Sequence, residues 1–160
     1  MSETSIRSVT VEHVTIRSAR DFDTVRQALE AALPPLDHGY AALVQADRAQ
    51  EALRLLESGA PLSIFGQRDH GALLRIAGLE RRAVQYDIGN PLTASRMTRH
   101  ALSDALYAPI RVLLREEEEG VAFEYDRPAS TFGQFGNDAV DAVARELDER
   151  LSESLKAAAG

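Results

Sequence analysis

The chain has 160 residues, 44% of them hydrophobic, 18 basic against 25 acidic side chains for a formal net charge of -7, and no cysteine. That length is about one domain with enough apolar content for its own core. The acidic balance argues against a basic nucleic-acid footprint, and the lack of cysteine excludes disulfides, zinc–thiolate centres and a thiol nucleophile.

No stretch approaches the roughly 18 apolar residues of a membrane span, and the opening MSETSIRSVTVEH has no apolar h-region. A cytoplasmic protein with neither membrane nor nucleic acid as partner is expected. Residues 8–17 read as the first strand. Val9 and Val11 share one parity and Val14 and Ile16 the other, so a bulge near His13, or a strand covered on both faces, is expected. Asp21 is placed to cap a first helix whose stripe is Val25, Ala28, Leu29, Ala32 and Leu33 and which ends before Pro34-Pro35. Residues 40–45 read as a short strand or a turn. Asp47 with Gln50 resembles a capping box for a helix that stops at Gly59. A strand over 61–67 follows, then a helix of about two turns capped by Asp69 and ended by Gly78.

Val84, Tyr86 and Ile88 alternate with Gln85 and Asp87, the pattern of a half-buried strand. Asn90 and Pro91 fit the N-cap and first position of a helix. Ala94, Met97 and Ala101 fall on its core-facing side; Leu92, Arg96, Arg99 and His100 fall on the other side or its flank. The clearest hairpin comes next: Ile110–Leu114, an acidic turn closed by Gly120, and a return strand with Val121, Phe123 and Tyr125 on one face. Glu124 can pair with Arg111 or Arg115 across it. Residues 127–137 read as a loop. Residues 138–155 read as a long amphipathic helix with Val140, Val143, Leu147, Leu151 and Leu155 as its stripe, and KAAAG as a frayed end. The tripeptide Phe65-Gly66-Gln67 recurs as Phe132-Gly133-Gln134; both are candidates to line one pocket.

The phrase YDIGNPLTASRMTRHALSDALYAPIRVLLREEEEG carries a resemblance. An Asn-Pro pair (Asn90-Pro91) leads into a helix, and a link ending in Pro109 precedes an apolar strand and hairpin. In this the chain resembles the bacterial and archaeal family of domain of unknown function 302, most strongly over residues 64–137. The segments GNPLTASRMTRH and FGQFG resemble one subgroup. Relatives with cysteine near the position of Gly89 differ from this chain. The resemblance implies a single α+β domain over 1–160, a two-layer, mostly antiparallel sheet with helices on one face, and commonly a homodimer. It implies no agreed activity.

Three chemistries fit the residues. The first is binding of a small carboxylate or other anion, in which the helix start at Asn90, with Arg96 and Arg99 further along, supplies donors and charge. Tyr86 and Tyr107 complete the candidate ligand-binding set, and Phe65 or Phe135 offers an apolar wall. The second is an enzyme in which His70 or His100 acts as acid–base on a small organic acid, partnered by Asp69, Tyr86, Asp104 or Tyr107. The third is noncovalent haem or a metal on His70, His100 and a carboxylate, with Tyr86 or Met97 as further axial candidates for haem. The cofactor stays unknown at this level. In all three, His70, Tyr86, Asn90, Arg96, Arg99, His100 and Tyr107 are expected to meet, because the end of strand 61–67 should deliver His70 to the edge where Ile88 hands over to Gly89-Asn90.

Overall fold

Alternating apolar residues bring five strands onto one core. In the computed structural model, which describes all 160 residues, these are β1 (His13–Ser18), β2 (Ser63–Asp69), β3 (Ala83–Gly89), β4 (Ile110–Glu116) and β5 (Val121–Asp126). They form a single antiparallel sheet in the order β1-β5-β4-β3-β2. Strands β2 to β5 are a meander, and β1 is added beside β5. Gly120, at φ 82°, closes the β4–β5 hairpin.

One parity of β3, β4 and β5 is apolar and faces helices, and Val14 and Ile16 of β1 pack partly buried against the same core. Val84, Tyr86, Ile88, Ile110, Val112, Leu114, Val121, Phe123 and Tyr125 are all buried. The helices are α1 (Phe22–Ala32), α2 (Gly39–Gln45), α3 (Ala49–Glu57), α4 (His70–Leu74), α5 (Pro91–Thr98), α6 (Pro128–Gly133) and α7 (Asp138–Ala159). Helix α7 is the centre of the helical layer, with α1, α5 and α6 packed against it. Its stripe of Val140, Val143, Leu147, Leu151 and Leu155 is buried throughout. The fold is thus α+β, with helices laid on one face of an antiparallel sheet.

The opposite face is polar and largely paired with itself. Arg115 bonds Glu124 across the hairpin at 2.6 Å, and Arg68 pairs with Asp87 at 2.9 Å. His13 lies 3.7 Å from Glu124 and 3.4 Å from Asp126. A face of this kind does not itself need cover, so the expected homodimer gains no support from it.

Several local expectations are corrected. The first strand begins at His13, and Val9 and Val11 are exposed ahead of it, so the parity switch marks a strand start rather than a bulge. The bulge is instead in β2, where the register shifts between Ile64 and Gly66 around Phe65. Residues 40–45 are helical. Asp47 does not cap α3: it takes φ 59° in the turn between α2 and α3, and Arg48 occupies the N-cap without a side-chain bond. Part of the expected loop at 127–137 is α6, with Pro128 in its first turn. The last residues do not fray, because Ala158 and Ala159 are buried and the Ser18 hydroxyl donates to the Ala159 carbonyl at 2.6 Å.

Candidate functional site

A cavity of about 300 Å³ lies where β3 ends and α5 begins. The β2 bulge contributes Phe65, and β3 ends there in Ile88 and Gly89. Helix α5 contributes Asn90, Pro91, Thr93, Ala94 and Met97, and α7 contributes Leu147. The chain entering β4 adds Ala108, Pro109 and Ile110, with a cis peptide at Ala108-Pro109. Tyr40 of α2 closes the lining. That helix has no buried residue of its own, so Tyr40 rides on a lightly held element. No lining side chain carries a formal charge at neutral pH.

Asn90 fixes this corner. Its Oδ1 accepts from the backbone N–H of Leu92 at 2.9 Å and of Thr93 at 3.2 Å, and its Nδ2 donates to the Ala60 carbonyl at 3.2 Å. Pro91 has no N–H, and the Ala94 N–H bonds the Asn90 carbonyl. The start of α5 therefore offers no free backbone donor, which corrects the expectation that it would hold an anion. Asn90→Ala removes the cap and is expected to cost about 1–2 kcal/mol in urea unfolding, whereas Asn90→Ser should keep most of that stability. Equal losses in the two variants would show that the cap contributes nothing.

The other candidate residues do not converge on the cavity. Strands β2 and β3 are antiparallel, with Asp69 opposite Val84 and Ser63 opposite Gly89. The end of β2 thus delivers His70 to the start of β3, where its Nε2 lies 2.9 Å from Gln85 Oε1. Gln85 and Asn90 are five strand residues apart, roughly 17 Å. His100 is exposed beyond α5 and does not line the cavity. Tyr86 points into the core, and its hydroxyl donates to Glu30 at 2.8 Å. Burial, reinforced by that bond to Glu30, raises its phenol above the ordinary tyrosine range, so it stays protonated at neutral pH. Arg96 makes two bonds to Glu146 of α7, at 2.8 and 3.1 Å. Arg99 is exposed and bonds back to the Ser95 carbonyl. Tyr107 lies on a different cleft, edge-on to Phe135 with ring centroids 6.1 Å apart. Of the seven, Asn90 alone lines the cavity. No group of three or more histidine and acidic side chains is arranged to hold a metal.

The repeated tripeptide does not form one pocket either. Phe65 lines the cavity, while Phe132 is wholly buried in the core. Tyr40, Pro109 and Leu147 were not among the expected site residues, while Thr93, expected as a donor at the helix start, does line the cavity. Pro109 had a signal, since its place before a strand marks a fixed turn, but Tyr40 had none.

Asp104, in the 3-10 turn Leu102–Tyr107, is fully buried beside this region. Thr98 Oγ1 is 2.9 Å from both the Ala94 carbonyl and Asp104 Oδ1, while Asp104 Oδ2 has no partner. A hydroxyl has one proton for two acceptors, so both contacts are satisfied together only when Asp104 is protonated and donates to Thr98. Burial raises its carboxyl above the usual range, against a smaller lowering by the Thr98 bond. A folded pKa above the unfolded one means that the folded state binds more protons. Stability from this group is then full below the unfolded pKa and falls as pH rises through the folded pKa. Asp104→Asn is expected to remove that decline, so the variant gains relative to the parent as pH rises above the ordinary carboxylate range. Urea midpoints from pH 4 to 8 that stay parallel for parent and variant would show Asp104 to be ionised throughout.

Comparison with known proteins places the molecule. The family model described as "Domain of unknown function DUF302" matches residues 40–158. The crystal structure of an uncharacterized conserved DUF302 protein from Bacillus stearothermophilus superposes with a TM-score of 0.67 at 16% identity. It covers 91% of this chain and 97% of that one, and at this identity it shows a shared fold. No curated protein matches significantly. No helix is long and apolar enough to cross a membrane.

Proposed function

The chain belongs to the DUF302 family, and from that footing we propose that it is a small-molecule-binding domain whose ligand occupies the cavity at the β3–α5 corner. The observation that carries this reading is the lining itself. A pre-formed space of about 300 Å³ is walled by Phe65, Ile88, Met97, Pro109 and Leu147, with two neutral hydroxyls, Tyr40 and Thr93, among them. Neither hydroxyl has a hydrogen-bond partner within the protein. An apolar cavity with a few convergent polar groups is the usual form of a small-ligand site. The ligand that fits is compact, mostly apolar and uncharged, with a hydrogen-bonding group for Tyr40 or Thr93. The small carboxylate expected from Arg96 and Arg99 has no counter-charge here, because neither arginine lines the cavity. Burying an unpaired carboxylate would be strongly unfavourable.

The proposal extends to the subgroup marked by Gly89–His100 and Phe132–Gly136, since Asn90 and Met97 of the first segment line this cavity. It also retains the homodimer. Leu73, Ile76 and Leu79, exposed by 60%, 87% and 51% at one end of the sheet, are a surface for a second copy. Light scattering at micromolar protein should give twice the protomer mass, and Ile76→Asp should halve it.

Benzamide and benzoate test the ligand class. Amide chemical shifts at Tyr40, Thr93 and Met97 should respond saturably to benzamide, and benzoate should bind there at least about tenfold more weakly, a 1.4 kcal/mol difference. No saturable response at these three residues, or a preference for benzoate there, would defeat the reading.

A further inference from the structure

We propose a second, anion-binding site on the polar face of the sheet, in which Arg111 takes the carboxylate of a small organic acid. Ala108, Pro109 and Ile110 wall the apolar cavity on one side and an open cleft of about 510 Å³ on the other. Arg68, Asp87, Arg111 and Asp126 bring charge to that cleft, and Leu106 and Tyr107 give it an apolar side.

Arg111 is exceptional on this face. Arg17, Arg68 and Arg115 each pair with a carboxylate, to Glu117, Asp87 and Glu124 respectively. Arg111 has acids near it on both sides: Asp87 faces it on β3, and Asp126, one step beyond the last β4–β5 pair of Val112 with Tyr125, lines the same cleft. Both are engaged elsewhere, Asp87 with Arg68 at 2.9 Å and Asp126 with His13 at 3.4 Å. Arg111 makes no ion pair and no side-chain hydrogen bond. A guanidinium that has two acids near it and binds neither keeps its planar donor fork for an outside acceptor.

The surroundings select the acceptor. Asp87 and Asp126 repel a dianion, so a monoanionic carboxylate is favoured over a phosphate. Leu106, 80% exposed, and Pro109 lie beside the cleft for an apolar or aromatic body. This site is the opposite of the neutral cavity behind Pro109, and it stands whether or not that cavity binds a ligand.

The experiment uses benzoate as the probe and follows amide shifts of the whole chain at low salt. Saturable changes at Leu106, Tyr107 and Arg111 are expected, with benzamide at least tenfold weaker there. Arg111→Met should weaken benzoate tenfold or more, and Arg111→Lys should fall between. Arg111 is exposed, so these variants keep the fold, which an unchanged spectrum elsewhere verifies. No saturation, benzoate binding unaffected by Arg111→Met, or shifts confined to Tyr40, Thr93 and Met97 would each overturn the assignment.

Discussion

Gly120→Ala is expected to destabilise the protein by about 3–5 kcal/mol, the range reserved for backbone strain joined to a steric clash. Two effects combine at this position. The residue holds φ 82°, where a β-carbon is disfavoured. An added Cβ would also stand 2.0 Å from the Ser18 carbonyl oxygen and 2.9 Å from the Ala19 Cα. Those are backbone atoms at the end of β1, so relief requires the β4–β5 turn and β1 to separate. Gly136→Ala is the matched control. It has φ 59° and nothing within 4 Å of the added carbon, so it should cost only about 1 kcal/mol. Urea unfolding of the two variants separates strain from clash. A Gly120→Ala loss equal to that of Gly136→Ala would mean that the hairpin turn does not press on Ser18.

Ala94→Trp should abolish benzamide binding, by at least about a hundredfold or 2.7 kcal/mol, while leaving the fold intact. Ala94 lines the cavity from the second turn of α5 and is only partly buried. An indole placed there occupies the space that a ligand would use and adds apolar contact with the lining. Overpacking a filled core is costly, but filling an existing void need not be. The two readouts therefore move apart: affinity collapses and the unfolding midpoint holds or rises. A variant that still binds benzamide as the parent does would place the ligand elsewhere. Benzoate at Arg111 should survive this substitution, which keeps the two proposed sites separable.

Most of the architecture was legible because it rests on periodicity. The alternation of Val84, Tyr86 and Ile88, the β4–β5 hairpin and the stripe of α7 are local patterns that dictate which face is buried. The caps at Asp21, Asp69 and Asn90 were legible for the same reason: each side chain bonds an N–H two or three residues ahead. The site was much less legible. Its composition depends on strand direction, and the antiparallel pairing of β2 with β3 sends His70 to the far end of the sheet. Arg96 looked available until the fold brought Glu146 of α7 beside it. Tyr40 reaches the cavity only because α2 is helical, where the short segment YAALVQ reads as strand or turn. Phe65 faces the cavity at a bulge that no local signal announced.

The place of β1 has a consequence for how the molecule comes into being. Its register sets His13 against Asp126, so the first strand of this sheet to be made pairs with the last one of it. Until β5 emerges, more than a hundred residues later, β1 has no partner in its own chain, and loop closure over that span is entropically slow. The meander β2–β5 is assembled from neighbours and needs no such wait. Once β5 is made, and until its own β1 docks, the free edge of β5 is a template for any β1, including one from another nascent copy, and crowded synthesis would favour exchange of this strand between chains.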